Sequence, residues 1–599
     1  MKFKEVAQSF AKLETMSSRI SMTEELAALF GKASKEEIKE IVYLATGCLK
    51  PPYIGTQFAI AQKTMTKVVA HVTDVSEHEV EQLMRKVGDL GSVVEQFTWS
   101  ATEDFTVHQM YQNLLQLEEL SGKGSQENKQ HDLVKLLKSI DPVSAKYVSR
   151  IILGTLRLGF SDMTIIDALS WMEAGNKTLR VSLEHAYNVC VDIGLIAATL
   201  KSEGIEAIKK MEIHVGIPIR PAAAERLPTA KDIIEKLGPC VAQPKLDGFR
   251  LQVHINNAGK EPLIRFFSRN LLDMSAMFPE LVAVCKELPV KELIIDGEAI
   301  VYDIDTQSYV PFQETVKRRR KHGIEELVSE FPLQLNMFDI MFLDGKSLLH
   351  KEQHHRQKLL NELYQSYLQL RKQTIKKSSA QMNFFQEVEK TYMTETLQVI
   401  QEVPVSTAQE LENYFMQEIS AGLEGVVVKK INSSYQAGKR NFNWIKLKYH
   451  ATKKLEDTID VVILGYYAGR GKRAHFGIGA FLVGIYNKHE DCFETVAKVG
   501  TGLTDQEWVE LKKMCDKHAV LEKPKNVFCN VALEPTSWVF PFIVCEVLAD
   551  EVTSSPLHTA GKTKNSLGLA LRFPRFVTYR PDKSATETTT AFELHSFQK

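Results

Sequence analysis

The sequence predicts a multidomain protein: an all-α segment over residues 1–215, an α+β segment over 216–450 and an all-β segment over 451–599. Three observations carry that reading. A chain of 599 residues exceeds what a single hydrophobic core holds, so it divides into several domains. The hydrophobic pattern changes from a helical repeat to short alternating runs at the proline-rich linker Gly216-Ile-Pro-Ile-Arg-Pro221. From about residue 451, strand-like runs separated by glycine-rich or polar turns take over.

In the first segment, Asp141-Pro142 reads as a helix start, a cap followed by a proline in the first turn. Tyr147 with Ile151, and Val148 with Ile152, repeat at spacing four, and the pattern is expected to run to Gly159. Leu133, Val134, Leu136, Leu137 and Ile140 form another apolar face just before it. The run Ile41-Val42-Tyr43-Leu44, then Lys50-Pro51-Pro52-Tyr53, predicts a buried helix ended by prolines. In the second segment, Phe249, Leu251, Val253 and Ile255 alternate with Arg250, Gln252, His254 and Asn256, which predicts a half-buried strand. Residues 350–400 are charged and mostly helical in pattern, with no chemistry-bearing motif. In the third segment, 459–464, 480–485 and 541–547 predict strands.

Composition fits such a chain without naming its task. Hydrophobic residues make up 44% and charged residues 25%, as in globular proteins. No apolar run has spanning length and no signal peptide is evident, so a soluble cytoplasmic protein is expected. The eight cysteines are scattered with no C-x-x-C pair, which argues against a zinc ribbon and a disulfide framework. Net charge is −1, so any grip on nucleic acid must come from local patches. Lys317-Arg-Arg-Arg-Lys321 and the stretch 439–454 are such patches, although charge runs are usually solvated faces.

Lys245 is the first candidate for chemistry. It lies in Gln243-Pro-Lys-Leu-Asp-Gly-Phe-Arg250, at the junction of two strand-like segments. A free lysine is almost fully protonated near neutral pH and attacks nothing until burial or cationic neighbours lower its pKa. Arg250 supplies a permanent cation and a phosphate fork, and Gly248 permits close backbone approach or a turn with φ > 0. An ordinary surface lysine before an Asp-Gly turn explains this run alone equally well.

Further runs break the tie. The spacing Lys-x-Asp-Gly-x-Arg resembles the nucleotidyltransferase motif shared by ATP-dependent DNA ligases, RNA ligases and mRNA-capping enzymes, whose lysine takes AMP or GMP as a phosphoramidate. Phe267-Ser-Arg-Asn270 is similar to the second motif of that superfamily, Ile295-Asp-Gly-Glu-Ala299 to the third, and Met337-Phe-Asp-Ile340 to the aromatic motif. Glu424-Gly-Val-Val-Val-Lys429 and Trp444-Ile-Lys-Leu-Lys448 are similar to the fourth and fifth, and Arg572-Phe-Pro-Arg575 with Arg580-Pro-Asp-Lys583 to the sixth. Each is weak alone; their common order is strong. Arg157-Leu-Gly159 and the run 162–169 resemble the helical DNA-binding domain of archaeal and eukaryotic replicative-type DNA ligases, with a helical scaffold as the bland alternative. By the same resemblance, 216–450 is the nucleotidyltransferase (adenylation) domain and 451–599 an OB-fold, a five-stranded barrel.

The resemblance implies three displacements at phosphorus: Lys245 attacks the α-phosphate of ATP, AMP passes to a 5′-phosphate at a nick, and the 3′-hydroxyl displaces AMP. Lys446 and Lys448 alternate on a strand, so both can point to one face, neutralise the α-phosphate and depress the pKa of Lys245. Arg269 and Arg440 would contact the nucleotide and Phe338 would stack on the purine. Glu298 and Glu424 would hold Mg²⁺ through hard carboxylate oxygens, with Mn²⁺ equally suited, and Glu298 has the ribose hydroxyls as a second role. Gln243 departs from the pattern, in which a glutamate meets the adenine amino group. A glutamine carbonyl accepts the same bond, and its NH₂ can also donate, which leaves base selectivity open. Arg572, Arg575, Arg580 and Lys583 would grip the β- and γ-phosphates once the β domain closes on a linker near His450-Ala-Thr-Lys-Lys454. Left alone, Glu298 and Glu424 are exposed strand glutamates, Phe338 a core residue and the arginines a basic rim.

The preferred expectation is an ATP-dependent DNA ligase acting on nicked duplex DNA. An RNA ligase and a capping guanylyltransferase are the enzymatic rivals, and a non-catalytic DNA-end-binding scaffold is the rival of another class. The long helical segment disfavours the first two; the intact Lys245, Glu298, Glu424, Lys446 and Lys448 set disfavours the last. A monomer, nucleoid-associated in a prokaryotic cytoplasm, is expected, with a sliding clamp as a candidate partner.

Overall fold

The computed structural model describes residues 1–597 apart from 123, 304–307, 311, 319–323, 379–395, 449–457, 470 and 564–565. The chain forms two compact units. The first comprises Met1–Ile60, Ala101–Asp132 and Ser139–Tyr449; the second comprises Ala61–Ser100, Leu133–Lys138 and His450–Lys599. The helical segment thus contributes to both.

Within the first unit, capping chemistry sets the helix ends. Asp141 accepts hydrogen bonds from the Val143 and Ser144 amides at 3.1 and 3.2 Å, starting the helix Pro142–Ile152 as its sequence predicts. That helix ends at Ile152, short of Gly159, because Gly154 takes a left-handed φ of 63° and turns the chain. Helix Ile38–Thr46 likewise stops at Gly47, φ 77°, before the expected prolines are reached. Helix Asp162–Ala174 covers the run 162–169. In the second unit, helices Gln62–Thr73, Glu77–Val87 and Leu90–Glu95 complete the helical part.

Twelve strands follow in the first unit: β1 (Ala223–Arg226), β2 (Cys240–Pro244), β3 (Phe249–Asn256), β4 (Leu263–Ser268), β5 (Glu292–Asp303), β6 (Ser308–Tyr309), β7 (Leu333–Leu343), β8 (Lys346–Ser347), β9 (Leu397–Val399), β10 (Val403–Val405), β11 (Gly425–Lys430) and β12 (Arg440–Lys448). They make two sheets. One runs β1-β12-β11-β2-β10; the other runs β4-β3-β5-β7-β8, with β6 on β5 and β9 on β7. The second sheet packs Leu251, Val253, Ile255, Leu293, Ile295, Leu335, Met337 and Ile340 against helices Pro279–Cys285 and Gln353–Ser378.

β3 departs from the half-buried strand expected of it. Gln252 and His254, on its polar face, are 4% and 0% exposed. The linker is the cause, because it lies along that face as a strap. The Ile219 amide donates to Gln252 Oε1 at 2.7 Å, Gln252 Nε2 donates to the Ile219 carbonyl at 3.0 Å, and the Gly216 amide donates to His254 Nδ1 at 3.0 Å. Burial drops the His254 pKa to about 3, so it is neutral and structural.

The basic run at 317–321 also reads differently in three dimensions. Arg318 is 1% exposed and pairs with Glu280, and Lys317 pairs with Glu314. Arg318 is therefore a buried brace that cannot reach DNA, while 319–321 lie outside the described residues, as does the linker 450–454.

In the second unit, β13 (Ile459–Tyr467), β14 (Ala480–Asn487), β15 (Cys492–Val499), β16 (Ala519–Val520), β17 (Val527–Phe528), β18 (Ser537–Val539), β19 (Val544–Leu548) and β22 (Arg575–Tyr579) form one sheet, and β20 (Glu551–Ser555) pairs with β21 (Gly568–Arg572). The segment is β-rich rather than all-β: helices Asp505–Lys517 and Ala591–Ser596 seal its core through Trp508, Leu511 and Leu594. Among the described residues no helix is long and apolar enough to cross a membrane.

Candidate active site

A cleft of 440 Å³ opens in the first unit between the two sheets. Gln243, Lys245, Arg250, Arg269, Glu298, Phe338, Arg440 and Lys446 all line it. Residues spread over two hundred positions meet here because β2, β11 and β12 carry one wall and β3, β5 and β7 the other.

Lys245 leaves the end of β2, its amide donating to the Gly425 carbonyl at 2.8 Å. Its ammonium and that of Lys448 each hold one oxygen of Glu424. Burial works to raise the Glu424 carboxyl, but the two lysines outweigh it and hold the group below the usual glutamate range. Lys448 thus acts on Glu424 rather than lying bare beside Lys245. Lys446 faces the cleft, and its pKa is lowered by burial and then by the cations Lys448, Arg440, Lys245 and Arg269. That concentration of positive charge suits a polyphosphate.

Gly248 is there for close approach. A Cβ on it would lie 2.4 Å from the Ala299 carbonyl oxygen, so any side chain would prise β3 from β5. The approach lets the Gly248 amide donate to Glu298 Oε1 at 3.1 Å. Burial raises the Glu298 carboxyl to about 7 and Asp247 adds to the shift, while Lys245, Arg250 and the Gly248 bond oppose it. Between the ordinary glutamate range and that value the folded protein holds a proton that the unfolded chain has released. Stability contributed by this group is full below that window and is lost as pH rises through it. Glu298→Gln should therefore gain melting temperature over the parent on going from about pH 5 to about pH 8, without nucleotide or metal. A difference that stays flat across that range would mean Glu298 does not titrate there.

Phe338 owes its direction to a bulge. In the pairing of β5 with β7, Gly297 opposes Met337 and Asp296 opposes Asp339, leaving Phe338 as the extra residue. Met337 and Ile340 stay in the core while the bulged ring turns to the cleft. It meets Trp444 edge-on at 6.1 Å. Arg250 sits 5.4 Å from the Phe338 ring and 5.8 Å from Trp444. Its guanidinium donates to the Ala222 carbonyl at 2.7 Å and to Asp296 at 2.8 Å. Arg250 thus braces the aromatic floor while it lines the cleft.

Several residues that sequence reasoning passed over complete the site. Lys429, 1% exposed, donates to the Phe338 carbonyl at 2.8 Å and holds the bulge. Tyr435 donates to Asp296 at 2.7 Å and accepts from the Ala222 amide at 3.0 Å. The motif-free stretch 350–400 supplies Gln353 and Arg356. Arg356 is fully buried against Asp339, with N–O distances of 2.7 and 3.0 Å. Lys429 stood inside a quoted motif, but nothing in the pattern marked Arg356.

Arg572, Arg575, Arg580 and Lys583 belong to the second unit, where each has an acidic partner. Arg572 meets Glu551 and Arg575 meets Asp550, both at 2.6 Å; Lys583 meets Asp460 at 2.5 Å; Arg580 meets Glu546 at 2.7 Å.

Comparison with known proteins fits this geometry. The family model described as ATP dependent DNA ligase domain matches residues 221–448, the segment that builds the cleft. A protein named "Probable DNA ligase" from Dictyoglomus turgidum is 41% identical over 596 residues, covering 99% of this chain and 97% of that one. The chain belongs to the ATP-dependent DNA ligase family. Its other parts match too: the DNA ligase N terminus over 2–170 and the ATP dependent DNA ligase C terminal region over 474–583. "DNA ligase 1" of Methanosarcina acetivorans is 35% identical over 609 residues, covering all of both chains. The solved structure named "Pmar-Lig_Pre." shares the fold, with a TM-score of 0.53 over 96% of this chain and 99% of that one at 17% identity.

Proposed function

We propose that this ligase seals nicks in duplex DNA, joining a 5′-phosphate to a 3′-hydroxyl at the expense of ATP through a lysyl-AMP intermediate. The observation that carries the reading is Lys245 at the mouth of a cationic cleft in a chain matched to DNA ligases from end to end. In the first step the purine rests on Phe338 and the phosphates meet Lys446, Arg269 and Arg440. Lys245 must leave Glu424 and give up a proton before its free amine attacks the α-phosphate, and an incoming phosphate competes for the same lysines. Pyrophosphate departs, and the AMP then moves to the 5′-phosphate.

Mg²⁺ fits Glu298, whose charge is costly where it is buried and would be offset by a cation. Glu424 would join it only after a lysine is drawn off. Among the described residues no group of three potential ligands forms a protein cage, so water and phosphate oxygens would complete the shell. When bound, the ion supplies charge neutralisation at the phosphate oxygens.

The domain assignment proposed is DNA-binding for 1–215, adenylation for 216–450 and an OB-fold for 451–599. The last is supported by β13, which pairs with β14 along one edge and with β19 and then β18 along the other, curling the sheet around its core. Arg572, Arg575 and Lys583 would grip the leaving pyrophosphate, which must displace their acidic partners. Arg575→Ala should slow self-adenylation by roughly 10²-fold while sealing of pre-adenylated nicks changes little. Normal self-adenylation would remove Arg575 from the first step. The decisive test uses a 5′-labelled nicked DNA duplex with ATP and Mg²⁺ beside an RNA counterpart. A sealed DNA strand whose yield falls steeply with salt is expected; sealing of RNA alone would overturn the DNA assignment.

A further inference from the structure

We infer that Glu402 is the positioning residue for purine selectivity: it holds the Gln243 amide with its carbonyl turned to the cleft, so that a 6-amino purine is accepted and a 6-oxo purine refused. The inference rests on the ATP reading of the cleft. Its evidence is a relay in which each orientation is forced by the one before. Arg356 can only donate, and its Nη2 gives to Gln353 Oε1 at 2.8 Å. The Gln353 Nε2 group is thereby directed outward and donates to Glu402 Oε1 at 2.9 Å. Gln243 Nε2 donates to that same oxygen at 3.1 Å. Gln243 Oε1 is what remains.

That oxygen is placed to read a ligand. Gln243 is 2% exposed and lines the cleft. Among the described residues its Oε1 has no hydrogen-bond partner, yet it is not sealed from the cleft. A carboxylate only accepts, so turning the Gln243 amide over would set oxygen against oxygen at Glu402. Adenine carries an N–H donor at its 6-position; guanine and hypoxanthine carry an acceptor there. With the amide pinned, a 6-oxo purine meets a carbonyl and loses its partner. A free glutamine would simply rotate and take either base. The discrimination thus lies in Glu402, which does not line the cleft.

Self-labelling of the full chain with three α-labelled triphosphates tests this on the unaltered protein. ATP, purine riboside triphosphate (no 6-substituent) and inosine triphosphate (6-oxo) should rank in that order by kcat/KM. The 6-oxo compound is expected at least about 10-fold below the unsubstituted one. Equal use of those two would mean the amide turns freely and would overturn the inference. Glu402→Gln should erase that gap, mainly through KM. The exchange Q243E/E402Q should restore it, because an acceptor faces the cleft again. A Glu402→Gln protein that keeps the full gap, or an exchange that fails to restore it, also overturns the inference. Absence of label from ATP itself sinks the ATP reading, and this inference with it; the ranking of analogues bears on Glu402 alone.

Discussion

Replacing Lys245 by alanine is expected to abolish self-adenylation, by more than roughly 10⁴-fold, because it removes the amine that would take the AMP. Lys245→Arg should be equally inert, since guanidinium stays protonated in proteins. Incubation with α-labelled ATP and Mg²⁺, followed by a denaturing gel, reads the result directly. The parent should carry label after pyrophosphate has stripped any AMP already bound. A second arm separates chemistry from collapse: both variants should still seal a nick supplied as DNA-adenylate, where no free amine is needed. Label on Lys245→Ala would move the nucleophile elsewhere.

The second large effect concerns stability. Arg356→Ala should cost about 3–5 kcal/mol, because it strands a fully buried Asp339 carboxylate. Arg356 also donates to the Lys351 and Ser433 carbonyls at 2.6 and 3.1 Å, so the loss opens several backbone contacts together. The melting of the first unit should drop by about 10 °C in scanning calorimetry. Adding Asp339→Asn should return part of the loss, since an amide is cheaper to bury than an unpaired charge. Burial tends to raise the Asp339 carboxyl, and Arg356 overrides this to hold it below its ordinary range. The pair therefore stabilises the fold above that range and loses its contribution as pH falls through the lowered value. An Arg356→Ala protein that melts with its parent would remove the pair from the stability of the fold.

Much of the site was legible in one dimension. Lys245, Glu298, Phe338, Glu424 and Lys446 stand in short runs whose strand-like flanks already indicated how they would be presented, and all but Glu424 line one cleft. The strand 249–256 and the cap at Asp141 follow from alternation and capping chemistry, which act between neighbours. Predictions failed where a distant element intervened. The polar face of β3 is covered by the linker strap, a contact between residues 33 and 38 positions apart. Arg318 met Glu280 rather than solvent. Helix ends moved to Gly47 and Gly154 because a left-handed glycine closes a helix before a proline or a later glycine can.

What the sequence by itself determined is the chemical inventory: a lysine in a ligase-like run, two carboxylates, an aromatic ring and a set of cationic side chains, in one order along the chain. What only the tertiary structure decided is which of those groups are free to act. Lys245 and Glu424 are 179 positions apart, and Gln243 and Glu402 are 159 apart. Side-chain type fixes charge and the number of donors and acceptors, and these travel with the residue. Burial, pairing and the turn of an amide depend on whatever the fold brings alongside. For that reason Arg250 braces the aromatic floor, Arg356 anchors Asp339 and the Gln243 amide is held by Glu402.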